Sequence, residues 1–263
     1  MISAYTEYKY SKLVKEYTEQ QTEFHFIEQL GVGSYGVAYL LAHKKTGQKV
    51  VLKRLKAKHR KKEKTKRKFL QEIQMLKGLR YTRVPNVLVE GFLKDVPIYI
   101  MDYIDGETFE RAIFLHGQTF SIDEALEKTR ELLTIVITFH AHGIVHRDLR
   151  IPNILLKNNE LTVIDFGLAT YIDPTLTIEG IDNPKKAENH ISDLYAVGHF
   201  LLYLLYSNYT PGDKKERSWQ QELQLPAEVQ NYIEKLLMLK TPFASAEEAL
   251  LELPFRKSHL TLK

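Results

Sequence analysis

The chain has 263 residues, 44% of them hydrophobic and 27% charged, a composition that supports a packed core and excludes an intrinsically disordered protein. It has no cysteine, which removes disulfides, thiolate metal sites, cysteine nucleophiles and cysteine-held iron–sulfur clusters together, and suits a reducing compartment. The net charge of +4 hides a local imbalance: residues 53–68 (KRLKAKHRKKEKTKRK) hold 11 of the 37 basic residues and one of the 33 acidic ones, leaving 26 basic against 32 acidic elsewhere. One short segment makes the protein basic, so any electrostatic argument is local.

Residues 1–22 lack the apolar core of a signal peptide, and Tyr5, Tyr8, Leu13 and Tyr17 fall at near-helical spacing, which predicts a helix packed on the strand-rich lobe. From Phe24 to Leu55 the sequence alternates and is punctuated by glycine. This predicts strands joined by a tight Gly-rich turn and by a second turn at Thr46-Gly47-Gln48. Phe69, Glu72, Ile73 and Leu76 then occupy one helical face, and two more strands are expected at 86–92 and 98–103. Beyond Gly106 the pattern turns helical. Ser121-Ile-Asp-Glu124 is a capping box ahead of a long helix that stops at Gly143, and Ser245-Ala-Glu-Glu248 opens the last helix. The longest apolar run, Leu194 to Tyr206, is too short to span a bilayer and reads as a buried helix. The expected organisation is an extension (1–22), a strand-rich lobe (23–104) and a helical lobe (105–263), an α+β fold without a transmembrane segment.

Gly31-Val32-Gly33-Ser34-Tyr35-Gly36 is a G-x-G-x-x-G. A dinucleotide-binding turn would need a helix directly after it and an acidic residue about 20 positions on. Here a strand comes next, and the later stretch is basic, so the glycines read as a flap whose amides can lie over phosphates. Val50-Val51-Leu52-Lys53 ends a strand with a lysine, and Glu72 stands on the inner face of the next helix. His146-Arg147-Asp148-Leu149-Arg150-Ile151-Pro152-Asn153 is H-R-D-L-x-x-x-N, and Asp165-Phe166-Gly167 comes directly after the apolar strand 161–164.

These motifs, in this order across residues 24–252, resemble those of the eukaryotic-type protein kinases, in particular small bacterial-like members. The resemblance implies a bilobal fold, with an antiparallel sheet and one helix in the first lobe and a mainly helical second lobe. It implies ATP-dependent phosphorylation of protein Ser/Thr hydroxyls, with autophosphorylation; the lack of cysteine and of a signal-peptide pattern makes the cytoplasm the expected location. The implied cofactors are ATP and Mg²⁺, with Mn²⁺ as the substitute ion, and the implied partner is a protein substrate. Phosphoryl transfer needs a triphosphate held, its charge neutralised and an alcohol oriented in line. By the resemblance Lys53, held by Glu72, would meet the α- and β-phosphates, Asp148 would accept the hydroxyl proton and Arg150 would face the γ-phosphate. Asn153 and Asp165 offer the hard oxygens Mg²⁺ prefers. The nucleotide site would comprise Gly31, Val32, Gly33, Ser34, Tyr35, Gly36, Ala38, Val51 and Lys53, then Met101, Asp102, Tyr103, Ile104 and Leu155, with Ile154 beside it on the pocket floor.

The departures from the family pattern are informative. Ala38 and Val51 exchange the valine and alanine usual at their two positions, which conserves volume. No A-P-E lies between Asp165 and Asp193, and the arginine that normally pairs with its glutamate is absent from Lys240–Ser245. Both partners are missing together, as expected when keeping one would bury a charge unpaired. Gly180-Ile181 replaces a G-T, and Arg150 replaces a lysine, which weakens the Ser/Thr assignment. Arg147 offers a partner for a phosphorylated loop residue, with Thr170, Tyr171, Thr175 and Thr177 in range. The basic run Lys53 to Lys68 is either a solvated linker or the dock of an anionic regulator that shifts Glu72 relative to Lys53. A small-molecule kinase of the same fold and a nucleotide-binding scaffold are the competing readings. The scaffold reading expects loss of Lys53, Asp148 or Asp165, and none is lost.

Overall fold

The computed structural model describes residues 2–210 and 217–254, and the chain divides into two units, at Asp105 and Gly106. The first opens with α1 (Ile2–Gln21) and continues through β1 (Phe24–Val32), β2 (Gly36–His43), β3 (Lys49–Leu55), α2 (Glu63–Leu79), β4 (Val87–Leu93) and β5 (Val96–Asp102). The strands form one antiparallel sheet in the order β1-β2-β3-β5-β4.

Because side chains alternate along a strand, β3 sends Val50, Leu52 and Arg54 to one face and Val51 and Lys53 to the other. The first face is the core: Val37, Tyr39 and Leu41 of β2, Val50 and Leu52 of β3, and Ile98 and Ile100 of β5 cluster with Val14 of α1. The sequence predicted a helix here, and α1 is one. Its buried residues, however, are Tyr10, Val14 and Thr18, with Leu13 and Tyr17 half-buried, whereas Tyr5 and Tyr8 are exposed. The aromatic spacing alone misplaced the inner face by a fraction of a turn.

On this face Arg54 is fully buried. Its guanidinium donates to Glu7 Oε2 at 2.9 Å, Ser11 Oγ at 3.1 Å, Tyr39 Oη at 2.9 Å and two backbone carbonyls. Glu7 also accepts the Lys58 backbone N–H at 3.0 Å. Tyr10 donates to Asp95, which pairs with Arg60 at 3.4 Å. The extension is therefore an integral part of the first unit, and two of its side chains fasten the start of the basic run.

The second unit contains β6 (Glu107–Thr108), α3 (Phe109–Phe114), α4 (Ile122–Ala141), β7 (Ile144–Val145), β8 (Ile154–Lys157), β9 (Glu160–Val163) and β10 (Thr170–Tyr171). It closes with α5 (His190–Tyr206), α6 (Trp219–Glu222), α7 (Ala227–Leu236) and α8 (Ala246–Leu251). Ser121 and Glu124 make the expected reciprocal box on α4. At α8 Ser245 accepts the Glu248 N–H, but the Glu248 carboxylate takes the N–H of Ala244 instead of that of Ser245. α5 is apolar nearly all round because α4 and α7 both cover it. Gly198 permits this: a Cβ there would lie 2.9 Å from side-chain atoms of Leu236 and Leu237.

Breaking a buried ion pair by removing one member costs far more than replacing both. Glu7→Leu is expected to destabilise the protein by about 3 kcal/mol, and Glu7→Leu/Arg54→Met to recover most of that loss. Thermal unfolding of the two variants measures the difference.

Candidate active site

On the sheet face opposite α1, Lys53 Nζ donates to Glu72 Oε1 at 2.6 Å, and both side chains are buried. Strand register explains the encounter. Lys53 stands opposite Tyr99 of β5, the Tyr99 ring packs on Phe69 of α2 at 5.5 Å, and Glu72 lies three residues beyond Phe69 on the same helical face. Tyr99 Oη donates to the same Glu72 oxygen at 3.0 Å. Sequence reasoning missed Tyr99, although its place opposite the lysine is evident once β3 and β5 are paired.

Ala38 is paired with Lys53, and Val51 with Leu40 and Met101, so Ala38, Val51, Lys53 and Met101 share this face. The volume exchange at Ala38 and Val51 is thus between diagonal neighbours on adjacent strands. Gly31 and Val32 end β1 opposite Ala38 and Val37, and the turn closes through Gly33 N–H to Gly36 O at 3.0 Å. Ser34 is exposed at its tip, while the Tyr35 carbonyl accepts Lys56 N–H at 2.7 Å. Space at Gly36 is tight: a Cβ would meet Lys53 Cε at 3.0 Å and Arg54 O at 3.1 Å, so a side chain there presses on the lysine stem. Asp102 turns both its backbone N–H and its carboxylate to Asn86. Tyr103 stacks under the Lys49 ammonium at 5.4 Å, and Tyr103 and Ile104 are half-buried.

The second unit gathers its own set. Asn153 Nδ2 donates to Asp148 Oδ2 at 2.9 Å and to the Asp148 carbonyl at 3.0 Å. The Arg150 guanidinium spans both Asp148 oxygens, Nε to Oδ1 at 2.5 Å and Nη2 to Oδ2 at 3.1 Å. Pairing of Ile154 with Val163 and the bond from Ile164 N–H to Asn153 O bring Asn153 beside Asp165. Asp165 has a left-handed φ of 62° and accepts the Gly167 N–H at 3.3 Å, a conformation non-glycine residues adopt at a cost. Leu155 and Ile154 are buried in β8.

Residues 24–246 match the family described as "Protein kinase domain". The chain belongs to the protein kinase family. It is 35% identical over 216 residues to the "Probable serine/threonine-protein kinase YbdM" of Bacillus subtilis (strain 168), covering 82% of each chain. It is 31% identical to "Calcium-dependent protein kinase 4" of Plasmodium falciparum (isolate 3D7), over 68% of this chain and 33% of that one. Against "Serine/threonine-protein kinase 36" of Pongo abelii it is 29% identical, over 69% and 14%. The fold is the α+β kinase fold, with α1 as a second helix on the first unit's sheet.

In this kinase the loop carrying Asp148 is hung on one buried carboxylate. Asp193 of α5 accepts the backbone N–H groups of His146 at 2.9 Å and Arg147 at 2.7 Å, and bonds His140 Nε2 at 3.1 Å. Burial alone would raise its pKa, but the His140 hydrogen bond and charge and the Arg147 N–H hold it below the ordinary aspartate range. Leu149 plugs into the core between Asp148 and Arg150. His146 is fully buried, accepts the Asp148 N–H through Nδ1 at 3.3 Å and meets the Phe166 ring edge-on at 4.6 Å. Burial pushes its pKa down, so it packs as neutral imidazole.

The kinase's stability should therefore fall on acidification. His146, His190 and His199 are all held below the usual histidine pKa by burial. Below about pH 6.5 the unfolded chain takes up protons that the folded one refuses. The melting temperature is expected to drop between pH 7.5 and 5.5, a rise being the contrary result. Gly36→Ala should lower kcat/KM for ATP by about ten-fold by displacing Lys53, with little change in melting temperature. Steady-state kinetics at varied ATP tests this.

Proposed function

We propose that this kinase transfers the γ-phosphoryl group of ATP to Ser/Thr hydroxyls of a protein substrate, itself included, with Asp148 as the residue that receives the hydroxyl proton. The observation that carries the reading is the Asp148 carboxylate, fixed by Asn153 and Arg150 on a loop anchored to buried Asp193. A general base needs a set direction and an acceptor oxygen within reach, and the Asn153 amide provides the direction. The names of the bacterial and the Pongo abelii relatives specify serine/threonine, which supports that choice over tyrosine. A scaffold without chemistry would have no need to retain Lys53, Asp148 and Asp165 in its sequence.

Protein kinases use ATP with Mg²⁺. Among the described residues no three His, Cys, Asp or Glu side chains gather as a metal cage. The donors on offer are one carboxylate, Asp165, and one amide oxygen, Asn153. That set fits Mg²⁺, which keeps its waters and binds through one or two protein oxygens together with substrate phosphates; Mn²⁺ takes the same donors. The ion supplies neutralisation of phosphate charge when bound. The chain's own residues do the rest. Lys53, aimed by Glu72, which Tyr99 in turn orients, holds the α- and β-phosphates. Gly33 to Gly36 bring backbone amides over the triphosphate, and Ala38, Val51, Met101 and the backbone of Tyr103 and Ile104 receive the base. Arg150 lies on Asp148 in this structure; its planar fork is free to follow the γ-phosphate when the substrate hydroxyl takes its place on the carboxylate.

The basic run is not uniformly a linker. Lys53 and Arg54 are internal, Arg60 pairs with Asp95, and Lys66 covers the Phe92 ring. Lys58, Lys61, Lys62, Lys64, Arg67 and Lys68 remain exposed. We assign these to an acidic protein partner or substrate. Since Lys53 and Glu72 are already joined, such a partner acts on a pair that is formed. No helix among the described residues is long and apolar enough to cross a membrane; dependence on ATP and the absence of cysteine support a cytoplasmic site of action.

Incubation with labelled ATP and a generic protein substrate tests the assignment. Transfer to serine and threonine is expected, with Asp148→Asn reduced by about 10²-fold or more; transfer undiminished in Asp148→Asn contradicts the role of Asp148. Lys61→Glu/Lys62→Glu/Arg67→Glu should leave transfer to a neutral peptide unchanged and weaken transfer to an acidic one. A variant that phosphorylates the acidic peptide as fast as wild type does would sink the acidic-partner assignment.

A further inference from the structure

Arg147, the residue before Asp148, presents a guanidinium that a phosphorylated loop residue could neutralise, and the nearby segment offers Thr170, Tyr171, Thr175 and Thr177. The structure gives that guanidinium a different partner. Nη1 pairs with Glu188 Oε1 at 3.2 Å, and Nη2 donates to the Lys186 carbonyl at 2.9 Å. Arg147 itself is held hard, with its backbone N–H on Asp193 and a left-handed φ of 64°, and its side chain is only 17% exposed.

Glu188 is equally well placed. Its carbonyl accepts the Asp173 N–H at 2.7 Å, and it directly precedes Asn189, whose buried side chain caps α5 by accepting the Ile191 N–H. Backbone bonds help close the segment around it: β10 pairs with β7 and Ile172 N–H donates to Gly143 O at 2.8 Å. Thr175 already donates its hydroxyl to Asp173 Oδ1 at 2.6 Å. A phosphate on Thr175 would be thrust against that carboxylate, a repulsive placement.

We propose that Glu188 is a built-in anion for Arg147, a positioning residue that keeps the Asp148 loop in order without phosphorylation of residues 165–193. The inference rests on the phosphoryl-transfer reading of Asp148 and adds its mode of control: the enzyme is active as synthesised. A carboxylate carries less charge than a phosphate and makes fewer bonds, but a short segment pinned at both ends needs less to hold it.

The test compares untreated wild-type enzyme, the same enzyme after phosphatase treatment with its dephosphorylation verified by mass, and a variant carrying Thr170→Val, Tyr171→Phe, Thr175→Ala and Thr177→Ala. All three are expected to share a kcat within about three-fold. Glu188→Gln should lower kcat by about ten-fold while KM for ATP moves less than about two-fold, and Glu188→Asp should recover part of the loss. Glu188 is about half exposed, and an ion pair with an exposed partner adds little to stability, so the melting temperature of Glu188→Gln should stay near wild type, separating positioning from folding. A larger loss on dephosphorylation or in the hydroxyl-free variant overturns the proposal, and so does Glu188→Gln at the wild-type rate. Untreated enzyme beside Asp148→Asn reports on phosphoryl transfer itself, so a failure there is distinct from a failure of Glu188.

Discussion

Two successive cations on β3 organise the first unit. Strand alternation sends Lys53 to one face of the sheet and Arg54 to the other, and each is buried against a glutamate delivered by a helix, Glu72 from α2 and Glu7 from α1. Burying a charge is costly unless it is paired and its hydrogen-bonding capacity is met. Arg54 meets the requirement fully, with acceptors on Glu7, Ser11, Tyr39 and the backbone. Lys53 is held by Glu72, which Tyr99 in turn orients. Arg54 is a structural charge that cements α1 to the sheet, whereas Lys53 faces away from the main core, toward the glycine turn where Gly36 leaves room for its stem. The first pair could be replaced by apolar side chains; the second holds, under the proposed function, the ammonium that phosphoryl transfer uses.

The second unit solves the same problem with one buried acid. Asp193 takes two backbone N–H groups of the loop before Asp148, so the position of Asp148 is set by main-chain bonds to α5 and does not depend on side chains alone. The loss of A-P-E and of its arginine partner leaves a reduced segment from Asp165 to Asp193. In the region where the arginine would stand, Lys240 pairs with Glu234 at 2.8 Å and Phe243 is buried against Tyr232. The segment is secured by the β10–β7 pairing and by Glu188 on Arg147. A smaller lobe thus keeps its catalytic loop with fewer parts.

Much of this was legible in the sequence, for identifiable reasons. Motif spacing singled out Lys53, Glu72, Asp148, Asn153 and Asp165, and the structure joins Lys53 to Glu72 within the first unit and Asn153 to Asp148 within the second. Periodicity located α2 and α4 and the strands, since each has one buried face. The internal side of α1 was misjudged: tyrosines weigh heavily in a pattern, but Val14 and Thr18 are the residues that fit against the sheet, and contact with a sheet leaves no simple signature in the helix. Tyr99, Glu7 and Glu188 were invisible for a common reason. Each acts on a partner brought near by strand pairing or chain reversal, at a separation that no local motif encodes. The basic run read as one feature and turned out to be three, with internal, paired and exposed members, because burial divides residues that composition groups together.

The central claim is that the Lys53–Glu72 pair exists for chemistry and not for the fold. Lys53→Met/Glu72→Gln removes both charges while leaving an acceptor for the Tyr99 hydroxyl, and its melting temperature and phosphoryl transfer can be measured on the same preparation. The account predicts a melting temperature within about 4 °C of wild type and transfer reduced to background. A variant that melts normally and still transfers phosphate at more than about a hundredth of the wild-type rate would contradict it.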